Sequence, residues 1–242
     1  MLQAGTRPIL ERVLDALIDA GVDDLHLVVG YGRDRVRNHF GPTYRDRTIT
    51  SHVQETQLGS GHALLQAADA VDDDVLVVNG DEVVSAAAVR RIVESHSRES
   101  VATLGVIDGD NPREYAWVSL DGDRVTTLVE NPTPGAYRLF NAGVYALTQD
   151  IFETLDTLSV DRGELPITDA VQAMIDDRDH TVTGVRTDHF WMDATHPWDL
   201  LSLSRDLLSR GWVNPSGDDD RYVAETANIH PDATLVSPVV ID

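Results

Sequence analysis

The sequence predicts an α/β fold, because predicted strands alternate with amphipathic helices along most of its 242 residues and a hairpin signal interrupts the alternation. The predicted strands are short apolar runs at 25–29, 75–78, 101–106, 144–147 and 181–186. The predicted helices carry apolar residues on one face and span 8–20, 85–96, 149–158, 166–176 and 197–210. This alternation is typical of a Rossmann-like, mostly parallel sheet with helices on both faces.

The ends of these elements carry the expected signals. Pro8 suits the first turn of the first helix, and Gly21 suits its end. Farther along, the run Asp121-Gly122-Asp123 separates two strand-like segments, 116–120 and 124–130. Acidic and glycine residues between two such segments predict a β-hairpin inserted into the α/β pattern.

The C-terminal end has a different period. Apolar residues recur every six positions at Ile229, Leu235 and Ile241. This hexapeptide spacing is typical of a parallel β-helix. We therefore predict a main domain over 1–210, a linker over 211–224 and the start of a β-helix over 225–242.

The charge of the chain limits its partners. There are 41 acidic residues against 19 basic ones, a formal net charge of −22, and every basic residue is arginine. Such a surface repels itself unless concentrated salt screens it, so we expect a halophilic host. It also argues against nucleic acid or anionic lipid as a partner.

Targeting signals and cysteine chemistry are absent from the sequence. It has no cysteine, which excludes disulfides and thiolate metal sites. No apolar run approaches the length of a membrane span, and the first residues lack a secretory signal pattern. We expect a soluble, cytoplasmic protein.

Several short motifs occur in a fixed order. They are Gln54-Glu55-Thr56-Gln57-Leu58-Gly59-Ser60-Gly61, Val78-Asn79-Gly80-Asp81, Val129-Glu130-Asn131-Pro132, Asn141-Ala142-Gly143 and Phe190-Trp191-Met192-Asp193. In this order and spacing they resemble the sugar-1-phosphate nucleotidyltransferases, from residue 1 to about residue 210. Many members of that family carry a left-handed β-helix after this domain, which is similar to the hexapeptide tail here.

The resemblance implies a reaction and a set of site residues. It implies nucleotidyl transfer from a nucleoside triphosphate to a sugar-1-phosphate, giving a nucleotide sugar and pyrophosphate. Asp81 and Asp193 are then the catalytic, metal-binding acids, with Mg²⁺ as cofactor. The residues expected to bind substrate are Gln54, Gly59 and Ser60 at the base, Gly80 beside the first acid, and Glu130 and Asn141 at the sugar hydroxyls.

Physical chemistry supports these roles but leaves alternatives open. Two polyanions must meet, so a divalent cation has to neutralise charge, and Mg²⁺ is commonly held by one or two carboxylates. Asp81 follows a buried strand, where open α/β sheets bind ligands. By itself it is equally expected as a turn residue that caps the next helix. Similarly, Ser60 is expected as a helix cap, Glu130 as a strand-end residue and Asn141 as a turn residue.

The chain departs from the family at its start. Family members open with a strand and a loop of the form Gly-x-Gly-Thr-Arg-x-Arg-Pro, whose backbone N–H groups and arginines hold the triphosphate. Here Met1-Leu2 aligns near the end of that region, so we expect an N-terminally truncated chain. Two strands should then lack a ladder partner. Lysines typical of the family are also missing, and the candidates to replace them are Arg7, Arg138 and Arg162.

Three functions therefore stay open. The first is a working nucleotidyltransferase, of which these residues are a part with doubtful activity of their own. The second is a non-catalytic homologue that binds a sugar nucleotide or another subunit, and the third is a metal-dependent glycosyltransferase. The base and sugar are not determined; glucose-1-phosphate with dTTP or UTP, and N-acetylglucosamine-1-phosphate with UTP, are the leading pairs. A homo-oligomer and a following acyltransferase domain are compatible with the tail.

Overall fold

The computed structural model describes residues 1–109, 115–130, 139–161, 163–177, 179–213 and 221–241. The helices within these ranges are α1 (Ile9–Asp19), α2 (Arg33–Phe40), α3 (Ser60–Leu65), α4 (Ala86–Ser95), α5 (Asp150–Thr157), α6 (Ile167–Asp176) and α7 (Asp199–Ser209). The strands are β1 (Gln3–Ala4), β2 (Arg7–Pro8), β3 (Leu25–Val29), β4 (Thr43–Tyr44), β5 (Arg47–Val53), β6 (Val75–Val78), β7 (Glu82–Val84), β8 (Ala102–Asp108), β9 (Trp117–Asp121), β10 (Arg124–Val129), β11 (Leu139–Leu147), β12 (Val182–Arg186), β13 (Trp191–Asp193), β14 (Arg221–Val223) and β15 (Val239–Ile241). In this part of the chain, no helix combines the length and the apolar character needed to cross a bilayer.

The helix predictions are confirmed, and α1 shows why. It begins directly after Pro8, which has no N–H to leave unpaired, and it ends two residues before Gly21, whose φ is +100°. Its apolar stripe places Ile9, Val13 and Leu14 in the core. The spacing of apolar residues was therefore sufficient to locate this helix.

The main sheet is mixed, so the prediction of a mostly parallel sheet is wrong. Its strand order is β6-β11-β8-β12-β10-β9, and among the described pairings in it only β8 with β12 is parallel. The reason is the connection that leads to β11. The chain reaches β11 from β8 by way of the β9–β10 hairpin, and β11 then pairs antiparallel with both β6 and β8.

The predicted hairpin is confirmed and closes over the end of the sheet. Strands β9 and β10 pair with each other, while β9 also pairs with β11 and β10 with β12. Gly184 of β12 lies under the hairpin, and its N–H donates to the Asp123 carbonyl at 2.8 Å. A side chain at Gly184 would meet the tips of Leu120 and Val125, so glycine permits this close packing.

Helices cover both faces of the sheet, as predicted. Successive residues of β11 show this directly: Tyr145 and Leu147 pack toward α3, α5 and α6, whereas Val144 and Ala146 pack toward α1 and α4. Alternating side chains of one strand thus serve two apolar clusters. All nine residues of β11 are buried, which makes it the most enclosed strand of the sheet.

A second, smaller sheet lies beside the first, and a cleft separates the two. It has three strands in the order β3-β5-β4, with β3 parallel to β5. The cleft has a volume of about 870 Å³ and is lined mainly by apolar side chains of α1, β3, α3 and β6. Among the described residues, β3 has a ladder partner only in β5, and β6 only in β11. All four residues of β6 are consequently only half-buried.

The C-terminal tail forms a parallel strand pair. Arg221 of β14 lies opposite Val239 of β15, eighteen residues farther along the chain. Tyr222 and Val240 pack against the apolar cluster that contains α7. Strand β14 falls inside the segment predicted to be a linker, so residues 221–223 belong structurally with the tail; residues 214–220 of that segment lie outside the described ranges.

Replacement of Gly184 by alanine tests the closure of the hairpin over β12. The new methyl group would stand 2.6 Å from Leu120 Cδ2, so Gly184→Ala should lower the free energy of unfolding by about 1–3 kcal/mol. Denaturant unfolding followed by circular dichroism measures the change. Gly80→Ala is the matched control, because its methyl group would come no nearer than 3.7 Å to Leu10. Equal effects of the two substitutions would contradict this packing.

Candidate active site

A polar cavity of about 220 Å³ brings together residues from distant parts of the chain. Its lining comes from the segments after β6, β10 and β13, from the residues before β9, from β7, β11 and β13, and from the first turns of α3 and α6. The lining residues are Ser60, Asn79, Asp81, Glu82, Tyr115, Ala116, Glu130, Asn141, Tyr145, Ile167, Thr168, Asp193 and Thr195. Five of the eight predicted site residues are therefore in one place: Ser60, Asp81, Glu130, Asn141 and Asp193.

The two predicted metal-binding acids reach this cavity from paired segments. Asp81 is exposed in the turn after β6, and Asp193 is buried at the end of β13. Strand β13 pairs with β7 so that Asp193 lies opposite Glu82, the residue after Asp81. The helix-capping alternative for Asp81 is not realised, because Ser85 caps α4 by accepting a hydrogen bond from the Ala88 N–H at 3.3 Å.

Asp193 is held by two hydroxyl groups. Tyr115 donates to its Oδ1 at 2.7 Å, and Thr195 donates to its Oδ2 at 2.5 Å. Tyr115 is itself held by ring contacts, stacked on Phe140 at 4.8 Å and edge-on to Trp191 at 5.6 Å. These contacts orient the Asp193 carboxylate toward the cavity. Neither Tyr115 nor Thr195 was predicted, because hydroxyl residues near a motif carry no spacing signal.

Glu82 is a third acid at this site, and sequence reasoning missed it. Its carboxyl group is buried, accepts a hydrogen bond from Asn79 Nδ2 at 2.7 Å, and accepts one from Trp191 Nε1 at 3.3 Å. Burial raises the pKa of Glu82 to about 8; the hydrogen bond from Asn79 opposes this shift, and the charge of Asp81 adds to it. The position next to Asp81 was the available signal, but neighbouring strand residues point in opposite directions and do not normally share a site.

The opposite side of the cavity is suited to hydroxyl groups. Asn141 is buried, its Nδ2 donates to the Tyr145 hydroxyl, and its Oδ1 accepts from the Gly143 N–H at 3.4 Å. Glu130 follows β10, is exposed, and accepts a hydrogen bond from the Thr168 hydroxyl at 2.7 Å. A buried amide and an exposed carboxylate that line the same cavity are suitable partners for a hydroxylated ligand.

Gln54 does not line this cavity. Its Nε2 donates to the Gly59 carbonyl at 3.0 Å and lies 2.9 Å from His62 Nδ1, so it holds the segment between β5 and α3 in shape. The small residues of that segment allow another backbone to approach. Leu165 O accepts from the Gly61 N–H at 2.9 Å, and a Cβ on Gly59 would stand 2.9 Å from the same oxygen.

Ser60 and Gly80 also have definite places. The Ser60 hydroxyl accepts a hydrogen bond from the Ile167 N–H at 3.0 Å, so it caps the start of α6 and not its own helix. Gly80 is exposed in the turn before Asp81 and lies at the edge of the apolar cleft. Contact of Gln54, Gly59, Ser60 and Gly80 with a substrate stays a prediction.

The cavity is strongly anionic. Four carboxyl groups line it, those of Asp81, Glu82, Glu130 and Asp193, and no arginine or histidine is among its described lining residues. A phosphate group would be repelled from such a cavity without a cation. Two carboxylates with room beside them fit the coordination that Mg²⁺ prefers when substrate oxygens complete its shell. In the described part of the chain, no group of three or more His, Asp or Glu side chains converges in a manner that could hold a metal ion by itself.

Arg7, one of the three arginines proposed to replace the missing lysines, does not line this cavity. Arg7 is paired with Glu11 and Asp15, both at 2.8 Å, and these contacts raise its pKa against the effect of burial. Arg7 therefore links β2 to α1 and to Tyr44 of β4. Arg138 and Arg162 lie outside the described residues.

Comparison with known proteins identifies relatives over nearly the whole chain. Residues 1–210 match the family model described as nucleotidyl transferase. The bifunctional protein GlmU of Methanococcus vannielii is 32% identical over 237 residues, which cover 95% of this chain and 54% of that protein. A bifunctional sugar-1-phosphate nucleotidylyltransferase/acetyltransferase of Sulfurisphaera tokodaii is 28% identical over 202 residues, 83% of this chain and 48% of that protein. The chain thus spans about half the length of these curated relatives.

A solved structure shares the fold. The UDP-glucose pyrophosphorylase from Acinetobacter baumanii superposes with a TM-score of 0.76 and 21% sequence identity, covering 89% of this chain and 86% of that one. At this identity the likeness concerns the fold alone. The arrangement of strands and helices described above is therefore one that also occurs in a solved protein.

The raised pKa of Glu82 predicts a pH dependence of stability. In the unfolded chain a glutamate has a pKa of about 4.3, so the folded state binds this proton more tightly. Its contribution to stability is complete below about pH 4.3 and is lost as the pH rises toward 8. Relative to Glu82→Gln, the wild type should lose up to a few kcal/mol between those values, measured by denaturant unfolding in EDTA.

The matched control for this experiment is Glu94→Gln, on the exposed side of α4. It changes the net charge equally, and its stability curve should run parallel to that of the wild type. A Glu82→Gln curve that is also parallel to the wild type would contradict the raised pKa.

Proposed function

Because the chain belongs to the nucleotidyl transferase family, we propose that its protein transfers a nucleotidyl group from a nucleoside triphosphate to a sugar-1-phosphate and releases pyrophosphate. One observation carries this proposal. A single cavity joins a pair of carboxylates, Asp81 and Asp193, to hydroxyl-binding groups on Glu130 and Asn141. A cation site beside a sugar site is what a reaction between a sugar phosphate and a nucleotide requires.

The bond changes define what each residue does. A phosphate oxygen of the sugar-1-phosphate attacks the α-phosphorus of the nucleotide, and the bond to the β-phosphate breaks, so that pyrophosphate leaves with the electron pair. Mg²⁺, when bound, would neutralise the charge that the two phosphate groups bring together. Asp81 and Asp193 would hold the cation, while Tyr115 and Thr195 keep the Asp193 carboxylate oriented.

The sugar is bound by residues whose hydrogen-bonding groups converge on the cavity. Asn141 and Glu130 accept or donate to its hydroxyls, and Thr168 holds the Glu130 carboxylate in place. Gln54, whose Nε2 holds the Gly59 carbonyl, would contribute to base recognition together with the backbone near Gly59 and Ser60. Orientation of both substrates in this way accounts for much of the rate of a reaction between two bound molecules.

A further strand completes the sheet between β3 and β6. Support comes from the cleft of about 870 Å³, from the apolar side chains that line it, and from the two strand edges that lack a partner among the described residues. Unpaired edges beside apolar surface are costly in water. We propose that this strand lies outside the 242 residues and is followed by the loop that holds the triphosphate. The cationic groups missing from the anionic cavity would then come from that loop.

The C-terminal strands form the first coil of a β-helix. The parallel pairing of β14 with β15, at an offset of eighteen residues, equals three hexapeptide units and supports this proposal. A β-helix needs several stacked coils to bury its faces, so further coils would follow. The names of the relatives, which are bifunctional proteins, support an acyltransferase as the second activity.

The acidic surface indicates the conditions under which the protein works. With a net charge of −22 and no lysine, it is adapted to concentrated salt, and we propose a halophilic cytoplasm as its location. Assays therefore belong in concentrated KCl, where the repulsion between carboxylates is screened.

Substitution of the two acids tests the proposed reaction. In the complete gene product, Asp81→Asn and Asp193→Asn should each lower nucleotide-sugar formation by about 10³-fold, because the cation supplies several kcal/mol of transition-state stabilisation. Pyrophosphate release is measured with Mg²⁺ across nucleoside triphosphates and sugar-1-phosphates. The matched control is Asp156→Asn at an exposed position of α5, which should retain full activity.

The other functions give different results in the same assay. Binding of a sugar nucleotide without pyrophosphate release from any substrate pair would support the non-catalytic homologue. Transfer of sugar from a nucleotide sugar to an acceptor would support a glycosyltransferase. Either result would contradict the proposed reaction.

Extension of the chain upstream tests the missing strand. Amide hydrogens of β3 and β6 that face the cleft should exchange rapidly in the 242-residue chain and become protected when the upstream coding sequence is included, because a new ladder forms. Hydrogen exchange followed by mass spectrometry measures this protection. Amides between β3 and β5 are the internal control, since they are paired in both forms. A stop codon directly before Met1, or unchanged exchange, would contradict the proposal.

A further inference from the structure

Glu82 lies next to Asp81, to Asp193 and to the strand that carries Asn141. It directly follows Asp81 and lies opposite Asp193 in the β7–β13 pair. Directly opposed residues in such a pair have Cβ atoms about 4.5–5.5 Å apart and share a face. A shift of Glu82 would therefore also move Asp81 and Asp193, the two acids of the proposed cation site.

The carboxyl group of Glu82 also fixes the strand that carries Asn141. It lies directly on Gly143 of β11, where a Cβ would stand 2.2 Å from Oε1 and 2.3 Å from Oε2. Gly143 has a φ of +63° and sits where the register between β8 and β11 shifts. A glycine in this conformation is typical of a β-bulge. The carboxyl group thus fills the space that the bulge leaves free.

Four hydrogen bonds, donated by two residues, join this contact to the neighbouring elements. Asn79, at the end of β6, donates to Oε1, and its N–H donates to the Gly143 carbonyl at 3.3 Å. Trp191, in β13, donates both to Oε2 and to the Ala142 carbonyl, the latter at 2.7 Å. The length of the Glu82 side chain is critical, because its two oxygens must reach donors on different elements, Asn79 after β6 and Trp191 in β13.

We propose that Glu82 is a positioning residue, which sets the separation between Asp81, Asp193 and Asn141 by the reach and shape of its side chain. Glu82 does not bind the cation or the sugar in this proposal. The proposal rests on the proposed function for the identity of the two acids as cation ligands. Outer groups that orient metal ligands commonly change metal affinity by about 10–100-fold when they are replaced.

Two substitutions separate side-chain reach from the ability to ionise. Glu82→Gln keeps the length and one acceptor oxygen but cannot ionise, whereas Glu82→Asp keeps an ionisable carboxyl group but is one methylene shorter. Binding of Mn²⁺ to the whole chain, measured by electron paramagnetic resonance of the free ion in concentrated KCl, should be within about threefold of wild type for Glu82→Gln. It should be at least about tenfold weaker for Glu82→Asp.

Two further variants control for folding. Val83→Ala removes buried volume from the same strand without touching the polar contacts, so it should bind Mn²⁺ within about threefold of wild type. Gly143→Ala approaches the same contact from the other strand and should weaken binding as Glu82→Asp does. In metal-free protein, the indole N–H resonance of Trp191 should shift in Glu82→Asp and stay near its wild-type position in Glu82→Gln.

The outcomes are distinct. Tight Mn²⁺ binding by Glu82→Asp together with weak binding by Glu82→Gln would show that an ionisable carboxyl group matters more than the reach of the side chain, and would overturn the proposal. A loss of more than about tenfold in Glu82→Gln alone would also overturn it, even if Glu82→Asp does not fold. If the predicted order of Mn²⁺ affinities is found but no nucleotide sugar is ever formed, the proposed function fails and the positioning role stands.

Discussion

Strand β11 is the element on which both the sheet and the active site depend. It pairs with β8 on one side and with β6 and β9 on the other, and all of its residues are buried. Its first half carries Asn141 into the cavity, and its second half supplies both apolar clusters. The bulge at Gly143 separates these halves. Both faces of β11 are covered, so a change in its local geometry is needed for Asn141 to reach the polar cavity. The bulge at Gly143 provides that change.

The electrostatics of the site follow from the same arrangement. Four carboxyl groups line the cavity, contributed by the turn after β6, by β7, by the residue after β10 and by β13, and the described lining offers no positive charge to balance them. Burial keeps Glu82 largely protonated near neutral pH, because its pKa is raised to about 8, and this reduces the repulsion. The remaining acids define an environment that favours a divalent cation and disfavours a bare phosphate. The hydroxyl donors on Asp193 and Glu130 stabilise individual carboxylates without neutralising the cavity.

The success of the sequence predictions depended on whether a feature is local. The helix at 8–20 and the Asp121-Gly122-Asp123 hairpin were predicted because their signals lie within one segment. The mostly parallel sheet was wrong, since strand direction depends on the path of the chain between β8 and β11. Gly59 is predicted to lie at the base, and that contact stays a prediction; the described structure shows a close approach by the Leu165 backbone. A glycine indicates that something comes near, and the sequence does not say what.

The sequence alone is sufficient to predict the α/β class, the order of the helices, the acidic character and the family to which the motifs point. It also indicates Asp81, Asp193, Glu130 and Asn141, because strand ends and motif order are local or one-dimensional properties. The folded structure is needed to show that these residues share one cavity, that Gln54 stays outside it, and that Glu82, Tyr115 and Thr195 belong to it. Burial and hydrogen bonding between strands depend on which segments pack together, which no single stretch of sequence reveals. The antiparallel pairing of β7 with β13 places Glu82 opposite Asp193, more than a hundred residues away in the chain.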